Sequence, residues 1–204
     1  LGEIVFYNSA RFPEEDLRII ETLLSTIVCP LRNALQYQEA LAASMTDPLT
    51  GAGNRVGLAN TLQREINLAR RYQQPLSLLI LDIDKFKAIN DEHGHSAGDR
   101  VLQQLVGTLG EMSRNTDACF RFGGEEFVIV LNRTSARAAM IIAERIRERI
   151  EQMEVSCGNT IVRLSVSIGA TSFCEGDCAD MLFNRADKAL YDIKKSGGNR
   201  VFSL

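Results

Sequence analysis

Four carboxylates stand where apolar, strand-like stretches end or begin. Asp82 and Asp84 close the stretch LSLLILDID, and Glu125 and Glu126 open the stretch EEFVIV after a Gly-Gly pair. Because strand side chains alternate with a period of two, Asp82 and Asp84 are expected on one face of a buried strand. Clustered carboxylates repel one another unless a cation neutralises them. Mg²⁺ binds such oxygens together with substrate phosphates, and two ions can activate an attacking oxygen and stabilise a leaving one. The pattern favours metal-dependent phosphate chemistry, although solvated charges at strand ends would explain either pair alone.

The Gly-Gly pair predicts how the glutamates are presented. Gly123 and Gly124 suit a two-residue hairpin turn, which requires positive φ. The strand pleat then sends Glu125 and Glu126 to opposite faces. We predict that Glu125 faces Asp82 and that Glu126 points elsewhere.

A polar segment, KFKAINDEHGHSAGDRVL, follows the first carboxylate pair. Lys87 is placed where it can neutralise a phosphate as a point charge. Asn90 and Asp99 offer the amide and the carboxylate that can read a guanine edge. For His95 we favour a structural or substrate-edge hydrogen bond over metal ligation, because Mg²⁺ chemistry does not need imidazole.

The remaining pattern alternates between helical and strand periodicity. We predict helices over residues 55–71, 97–112 and 179–195, a helix capped by Ser135, strands over 76–83 and 161–173, and a hairpin over 120–130. Helices interleaved with strands predict an α/β fold, or α+β sandwich, in which helices cover a mixed or antiparallel sheet.

The first 45 residues have a different pattern. Pro13 and the acidic residues after it suit the first turn of a helix. Apolar residues then recur at alternating intervals of three and four, as in a coiled-coil seam, at Leu17, Ile20, Leu24, Ile27, Leu31 and Ala34. Two interpretations remain: a dimerising, signal-carrying helix whose pattern Pro30 interrupts, with a kink expected there, and an amphipathic helix packed on its own domain. The turn-rich residues 44–54 predict a domain boundary.

Composition excludes several classes of protein. The chain has 204 residues and a net charge of −3, so no general attraction to nucleic acid is expected. No run of about 18–20 apolar residues predicts a membrane span. Five scattered cysteines predict reduced thiols and a cytoplasmic location. Since the sequence starts with Leu, we expect a segment of a longer protein, which could be membrane-attached through an upstream part.

Five sequence blocks together resemble the diguanylate cyclase (GGDEF) family. They are DPLTGAGNR, LDIDKFKAINDEHGHSAGD, RFGGEEF, LSVSIGAT and RADKALYDIKKSGGN, in the family's order within residues 44–204. Residues 1–43 resemble the end of a GAF-type sensor domain followed by a signalling helix. The resemblance therefore implies two parts, an upstream sensor end at 1–43 and a GGDEF domain at 44–204.

The resemblance also implies a fold and a reaction. The fold is a mostly antiparallel central sheet related to nucleotide cyclases and polymerase palms, flanked by helices and preceded by a helical linker. The reaction joins two GTP into cyclic di-GMP and two pyrophosphates, with two Mg²⁺ (or Mn²⁺) ions per active site. Each subunit of a homodimer holds one GTP, so the homodimer and the upstream sensor are the implied protein partners.

Metal-binding and catalytic roles follow from the matched positions. The implied metal ligands are Asp82, the Ile83 carbonyl, Glu125 and, as an additional ligand, Glu126. Glu125 also corresponds to the proton acceptor, and Lys87 to the group that stabilises the transition state.

Substrate contacts are implied in the same way. The set consists of Asn90, His95, Asp99, Gly123, Gly124 and Lys194. Asn90 and Asp99 correspond to the guanine-reading pair, and Lys194 corresponds to a phosphate-binding lysine. A side chain at either glycine would crowd the nucleotide.

A regulatory site is implied by the segment RNTD. Arg114 and Asp117 match the family's RxxD inhibitory pattern at the usual distance before the glycines. Their guanidinium and carboxylate would hold the product, cyclic di-GMP. Arg145 corresponds to a secondary arginine of this site.

The sequence departs from the family pattern at two places. Ala52 and Gly53 replace a leucine-containing turn, which predicts a looser loop. Gly198 stands where an arginine usually contacts phosphate, and Arg200 is a possible substitute. Glu125 in place of aspartate is an accepted variant.

Two other functions remain as alternatives. One is a catalytically inactive receptor for GTP or cyclic di-GMP, weakly favoured by Gly198. The other is a two-metal nuclease or phosphatase, disfavoured by the guanine-type polar positions and by the lack of a histidine cluster.

Overall fold

The computed structural model describes residues 13–158 and 160–204 of the chain. The helices are α1 (Glu14–Ser44), α2 (Arg55–Tyr72), α3 (Phe86–His93), α4 (His95–Met112), α5 (Ala136–Glu151) and α6 (Ala179–Lys195). The strands are β1 (Leu76–Ile83), β2 (Ala118–Gly123), β3 (Glu126–Asn132), β4 (Glu154–Cys157), β5 (Thr160–Arg163), β6 (Val166–Ser172) and β7 (Val201–Ser203). The chain divides into two compact units, with the boundary between Ala43 and Ser44.

The first unit contains α1, which continues through Pro30. Three acidic residues occupy its first turn, where they stabilise the positive end of the helix. Leu17, Ile27 and Leu31 of the predicted seam are exposed in this single chain. Residues 1–12, which begin the segment that resembles a sensor domain, lie outside the described residues.

The second unit is built on a five-stranded sheet in the order β2-β3-β1-β6-β7. The β6-β7 pair is parallel and the other neighbours are antiparallel. A separate two-stranded hairpin consists of β4 and β5. The predicted fold class, a mostly antiparallel sheet flanked by helices, is confirmed.

Alternation along the central strand β1 divides the core into two layers. Leu79, Leu81 and Ile83 pack in a cluster that includes apolar residues of α4 and α5. Leu78 and Ile80 pack in the other, with residues of α2 and α6. All eight residues of β1 are buried, as the apolar stretch predicted.

The sequence predicted the cap of α5 and the helix α4, but it did not predict the short helix α3. Ser135 accepts a hydrogen bond from the Ala138 N–H at 3.4 Å, which confirms the predicted cap of α5. The predicted helix over 97–112 is confirmed as α4, which begins two residues earlier, at His95. The short helix α3 before it was not predicted. Gly94 separates them with φ of +83°, a conformation that ends a helix and favours glycine.

The prediction of one continuous strand over 161–173 is wrong. Residues of β5 pair with β4, and residues of β6 pair with β1, so the chain changes sheets at Leu164 and Ser165. The apolar alternation continues across this change because Val162, Leu164, Val166 and Ile168 are all buried. A period of two carries no information about the partner strand.

No helix in residues 13–158 and 160–204 is long and apolar enough to cross a membrane. The four cysteines whose side chains are described, Cys119, Cys157, Cys174 and Cys178, are free thiols. Burial raises the pKa of Cys119 to about 12, which makes this thiol unreactive.

Candidate active site

Asp82 lies on the face of β1 that α6 covers. Leu81 and Ile83 point toward the layer of α4 and α5, so Asp82 between them points the other way. It pairs with Ser167 across the strand boundary with β6. The alternation of β1 therefore presents one carboxylate to the C-terminal end of α6.

Close packing brings that end of α6 near the strand. A Cβ on Gly169 of β6 would lie 2.1 Å from the Ala186 carbonyl oxygen and 2.6 Å from the Leu190 nitrogen. Only glycine permits this approach of helix backbone to strand. Lys194 lies one turn after Leu190 and is thereby carried to the end of β1.

The Lys194 ammonium forms an ion pair with the Asp82 carboxylate. Burial raises the pKa of Asp82 to about 6, against the opposing effect of Lys194, and the charges of Glu125 and Glu126 raise it as well. A cation beside Asp82 thus offsets the cost of a buried negative charge.

The structure corrects the predicted arrangement of the two glutamates. Glu126 pairs directly with Asp82, so their side chains share one face. Glu125 is not in a strand: it and Gly124 form the turn, and Gly123 ends β2 opposite Glu126. The prediction that the pleat separates the glutamates is wrong, because the turn lies one residue later than expected. Both glutamates affect the pKa of Asp82, with Glu125 the stronger.

The two glycines leave open space beside this turn. Gly124 alone of the pair has positive φ, at +24°. A Cβ on Gly124 would meet nothing within 4 Å, and one on Gly123 would meet only the Glu126 Oε2 at 3.8 Å. Room for a nucleotide beside the glycines stays a prediction.

A cleft of about 350 Å³ collects several of the predicted residues. Its lining is Asp82, Ile83, Asp84, Lys85, Phe86, Lys87, Glu125, Lys194, Gly197 and Gly198. Three carboxylates (Asp82, Asp84 and Glu125) and three exposed lysines (Lys85, Lys87 and Lys194) therefore line one space, which suits an anionic ligand together with a cation.

The donor set of the cleft fits a phosphate-bound Mg²⁺. Within the described residues no three His, Cys, Asp or Glu side chains form a metal cage by themselves. Mg²⁺ typically uses one or two carboxylates, with water and substrate phosphate supplying the rest. Asp82 and Glu125 meet that requirement, and the Lys194 ammonium already occupies a cation position beside Asp82.

The predicted guanine-reading residues gather at the corner between α3 and α4. A Cβ on Gly98 would lie 2.0 Å from the Asn90 Oδ1, so the Asn90 amide rests on α4 next to Asp99. His95 begins α4 one turn earlier, and His95 and Asp99 are exposed. Lys87 stands on α3 and lines the cleft. An amide and a carboxylate therefore lie at one corner, and their reading of a guanine edge stays a prediction.

The RNTD segment forms a turn after α4. The Asp117 N–H donates to the Arg114 carbonyl at 2.9 Å, and the Arg114 N–H donates to the Asp117 Oδ2 at 3.1 Å. The other oxygen, Asp117 Oδ1, is buried without a hydrogen-bond partner in the described structure. Arg145 donates to the Met112 carbonyl at 3.3 Å, two residues before the turn. The three predicted residues therefore belong to neighbouring parts of one surface.

Sequence reasoning gave no separate role to Arg121. Its guanidinium donates to the Gly124 carbonyl at 2.8 and 3.1 Å and to the Asp47 carboxylate at 3.1 and 3.3 Å. Beside it, the Phe122 ring packs on Phe183 at 4.7 Å between centroids. The turn that carries Glu125 is held from both sides by these contacts. No sequence signal connects positions 47 and 121, because they are distant along the chain.

The prediction of a loose loop at Ala52 and Gly53 is wrong. Asp47 accepts from the Thr50 N–H and hydroxyl at 2.9 and 2.6 Å, and its N–H donates to the Ala52 carbonyl at 2.8 Å. Burial raises the pKa of Asp47, but the hydrogen bonds from Thr50 and Arg121 outweigh it and the pKa is lowered. Gly53 allows the Phe120 ring to approach, since a Cβ there would lie 2.2 Å from it.

Comparison with known proteins identifies the family of the second unit. The family model "Diguanylate cyclase, GGDEF domain" matches residues 44–200. The chain belongs to the GGDEF family. Its GGDEF domain carries the variant sequence GGEEF at residues 123–127.

Named relatives and solved structures resemble this GGDEF protein over most of its length. Diguanylate cyclase A of Treponema denticola is 36% identical over 95% of the chain and 52% of that relative. The structure of the coiled coil and GGDEF domain of DgcB from Caulobacter crescentus, in complex with cyclic di-GMP, has a TM-score of 0.82 at 28% identity. It covers 91% of this chain and 99% of that one.

A third comparison bears on the variant motif. The active GGEEF domain of a diguanylate cyclase from Vibrio cholerae matches with a TM-score of 0.69 and 36% identity, over 74% of this chain and 96% of that one. The GGDEF protein described here spans about half the length of the Treponema relative.

Proposed function

We propose that this chain condenses two GTP into cyclic di-GMP, with release of two pyrophosphates. The observation that carries the proposal is the cleft in which Asp82 and Glu125 face Lys87 and Lys194. Carboxylates suit the divalent cations of phosphoryl transfer, and lysines suit the phosphates.

Each side chain of the cleft has a separate role. Glu125 accepts the proton of the attacking 3′-hydroxyl, and Lys87 offsets the charge that develops on the α-phosphate. Lys194 exchanges its contact with Asp82 for the substrate phosphates. Asp82, the Ile83 carbonyl and Glu125, with Glu126 on the Asp82 face, would hold two Mg²⁺ or Mn²⁺ ions that activate the attacking oxygen and stabilise the leaving pyrophosphate.

Base recognition is assigned to the α3–α4 corner. Asn90 and Asp99 read the guanine edge, and His95 contributes a hydrogen bond at the rim. No partner hydrogen-bonds to these three side chains within the described ranges, so their polar atoms remain available for a base. An adenine edge would present a donor and an acceptor in different positions, which makes the corner selective.

The reaction needs two copies of the chain. One cleft holds one GTP, and the 3′-hydroxyl of each GTP attacks the α-phosphate of the other. The exposed Leu17, Ile27 and Leu31 of α1 support pairing of two copies through a coiled coil. In this reading residues 1–43 transmit an upstream signal and residues 44–204 are the catalytic domain.

Product inhibition is assigned to the RNTD turn. The unpaired Asp117 Oδ1 is an acceptor for guanine N–H groups, and the exposed Arg114 guanidinium is a donor for guanine or phosphate. Arg145 lies beside the turn through its contact with Met112. Cyclic di-GMP bound there would limit its own synthesis.

Turnover measured by chromatography of GTP reactions with Mg²⁺ tests the proposal. We expect cyclic di-GMP from the wild-type protein, and no product from Glu125→Gln at unchanged thermal stability. Arg64→Lys is a matched surface control, because the one ion pair of Arg64 among the described residues is with Glu65, at 2.9 Å. If the wild-type protein forms no cyclic di-GMP, even when two copies are artificially linked, the proposed cyclase function is excluded.

One observation favours a second function, a receptor that binds without turnover. Gly198 lines the cleft where an arginine contact was expected, and Arg200 is not among the described lining residues. Calorimetry with GTP and with cyclic di-GMP, run beside the turnover assay, separates the two functions: both proteins bind a nucleotide, but a receptor forms no product.

A further inference from the structure

The chain turns sharply just after α6, at the edge of the cleft. Gly197 and Gly198 have φ of +109° and +79°, and Asn199 has φ of +51°. The Gly198 N–H donates to the Ile193 carbonyl at 3.2 Å, which closes the end of the helix. Lys194 lies in the last turn before this bend, so the position of the bend determines where the Lys194 ammonium can reach.

Asp84 holds this bend. Its Oδ2 accepts from the Asn199 N–H at 2.9 Å and from the Ser165 hydroxyl at 2.7 Å. Its Oδ1 accepts from the Ser167 hydroxyl at 2.6 Å. A carboxylate has about four acceptor positions, so three of them are already used. Asp84 therefore has little capacity left for a metal ion, although it lies two residues from Asp82.

The fit between Asp84 and the bend is tight. A Cβ on Gly198 would lie 2.7 Å from the Asp84 Oδ1 and 3.0 Å from its Cγ. Any side chain at position 198 must displace the carboxylate or move the bend. Gly198 is thus part of the same arrangement as Asp84.

A second set of contacts holds the bend from α5. The Asn199 Oδ1 accepts from Arg147 at 2.9 Å, and the Asn199 Nδ2 donates to Glu151 at 2.7 Å. Arg147 also pairs with Glu144 at 2.7 Å. Because these contacts remain when Asp84 is changed, we expect loss of Asp84 to loosen the bend without unfolding it.

We propose that Asp84 is a positioning residue for the substrate triphosphate, acting through the Gly197–Asn199 bend on Lys194. This inference rests on the proposed function, because it assigns a part of the same cleft. Lys194 must leave Asp82 for the phosphates. Because a fixed helix end already restricts the conformations of this side chain, less conformational entropy is lost when the lysine binds phosphate.

The test compares Asp84→Asn, and the pair Ser165→Ala with Ser167→Ala, with the wild-type protein. Calorimetry with α,β-methylene-GTP, whose α–β bridge cannot be cleaved as in the reaction, gives Kd without turnover. We expect both variants to raise Kd about tenfold. The double variant Asp84→Asn, Lys194→Ala should bind no more weakly than Lys194→Ala alone, because Asp84 acts through Lys194.

Ser77→Ala is the matched control, in β1, the strand that ends one residue before Asp84. The Ser77 hydroxyl bonds to the Thr134 carbonyl at 2.8 Å and to the Ser172 hydroxyl at 2.7 Å, near the opposite end of β1. Its loss should lower Tm and leave Kd unchanged, which separates general destabilisation from positioning.

Wild-type affinity in Asp84→Asn and in the serine pair would overturn the proposal. It would also be overturned if Asp84→Asn raised the Kd of the Lys194→Ala protein by the same factor as it raises the Kd of the wild-type protein. Failure of the proposed function looks different. A wild-type protein that binds the analogue and forms no cyclic di-GMP disproves the cyclase, whereas the binding arms of this experiment still decide the role of Asp84.

Discussion

Arg121 donates two hydrogen bonds to the carbonyl oxygen of Gly124, at 2.8 and 3.1 Å. The same guanidinium reaches the Asp47 carboxylate, three residues beyond the end of α1. Gly124 and Glu125 form the turn between β2 and β3. The orientation of the proposed proton acceptor therefore depends on an arginine that does not line the cleft.

Arg121→Lys should lower turnover at saturating GTP by about tenfold. A lysine presents one point charge and cannot contact Gly124 and Asp47 together in the geometry of a guanidinium. Displacing a catalytic group by a fraction of an ångström lowers the rate more than the affinity. Steady-state kinetics would show a reduced kcat and a KM within about twofold of wild type. Full turnover in this variant would contradict the role assigned to Arg121.

Gly198→Ala should lower both Tm and affinity for the triphosphate analogue. The alanine is strained at φ of +79° by about 1 kcal/mol, and its Cβ meets the Asp84 carboxylate. Gly176→Ala is the matched control, since Gly176 has φ of +93° and nothing lies within 4 Å of its Cβ position. We expect thermal unfolding to detect both changes and calorimetry to detect only the first. Equal affinities for the two variants would refute the tight fit.

Arg114→Ala should relieve inhibition by cyclic di-GMP, raising the half-inhibitory concentration at least tenfold with kcat unchanged. The guanidinium is exposed and contributes to binding but not to the fold of the turn, which uses the Arg114 backbone. Arg133→Ala serves as the control, because Arg133 contacts Gln74 at 3.1 Å elsewhere on the surface. Unchanged inhibition in Arg114→Ala would remove the regulatory assignment.

Removing residues 1–43 should lower turnover per subunit at low protein concentration by tenfold or more. The loss follows from weaker pairing, so turnover should rise again with concentration, while affinity for the triphosphate analogue stays the same. Replacing Leu17 and Leu31 by serine should reproduce the effect in the full chain. Sedimentation alongside the assay measures pairing directly. Undiminished turnover at nanomolar concentration would exclude α1 as the dimerising element.

Asp177→Asn should destabilise the protein at neutral pH and much less in acid. Hydrogen bonds from Arg185, at 2.6 and 2.7 Å, hold the pKa of Asp177 below its ordinary value, against the effect of burial. A lowered folded-state pKa contributes stability above about pH 4, the ordinary aspartate value, and this stability is lost as the pH falls further. We expect a loss on the order of 1–3 kcal/mol at pH 7 by urea denaturation.

Glu154→Gln is the comparison for that pair. Its partner Arg163 is 75% exposed, so removing the interaction should change the free energy of unfolding by less than about 1 kcal/mol. If Asp177→Asn lowered the free energy of unfolding equally at acidic and neutral pH, a lowered pKa of Asp177 in the folded protein would be contradicted.

The central strand and the helix caps were predictable because their signals are local. The apolar run of β1 is buried on both faces, and Ser135 caps the helix that starts next to it. The α3 helix was missed because it is short and its polar residues show no clear apolar face. The change of sheet at Leu164 was missed because pairing partners are not encoded in the period of a strand.

The sequence by itself determined the chemistry of this protein: carboxylates at the end of β1, a glycine turn followed by two glutamates, and lysines where phosphates would bind. Only the tertiary structure decided which of these groups meet. Glu126 joins the face of Asp82 because the hairpin turn lies one residue later than expected, and Lys194 reaches Asp82 because Gly169 admits α6 against β6. Asp84 reaches the bend after α6, where it accepts from the Asn199 N–H. Strand register and the approach of a helix depend on packing between distant segments, which a local pattern of residue types does not contain.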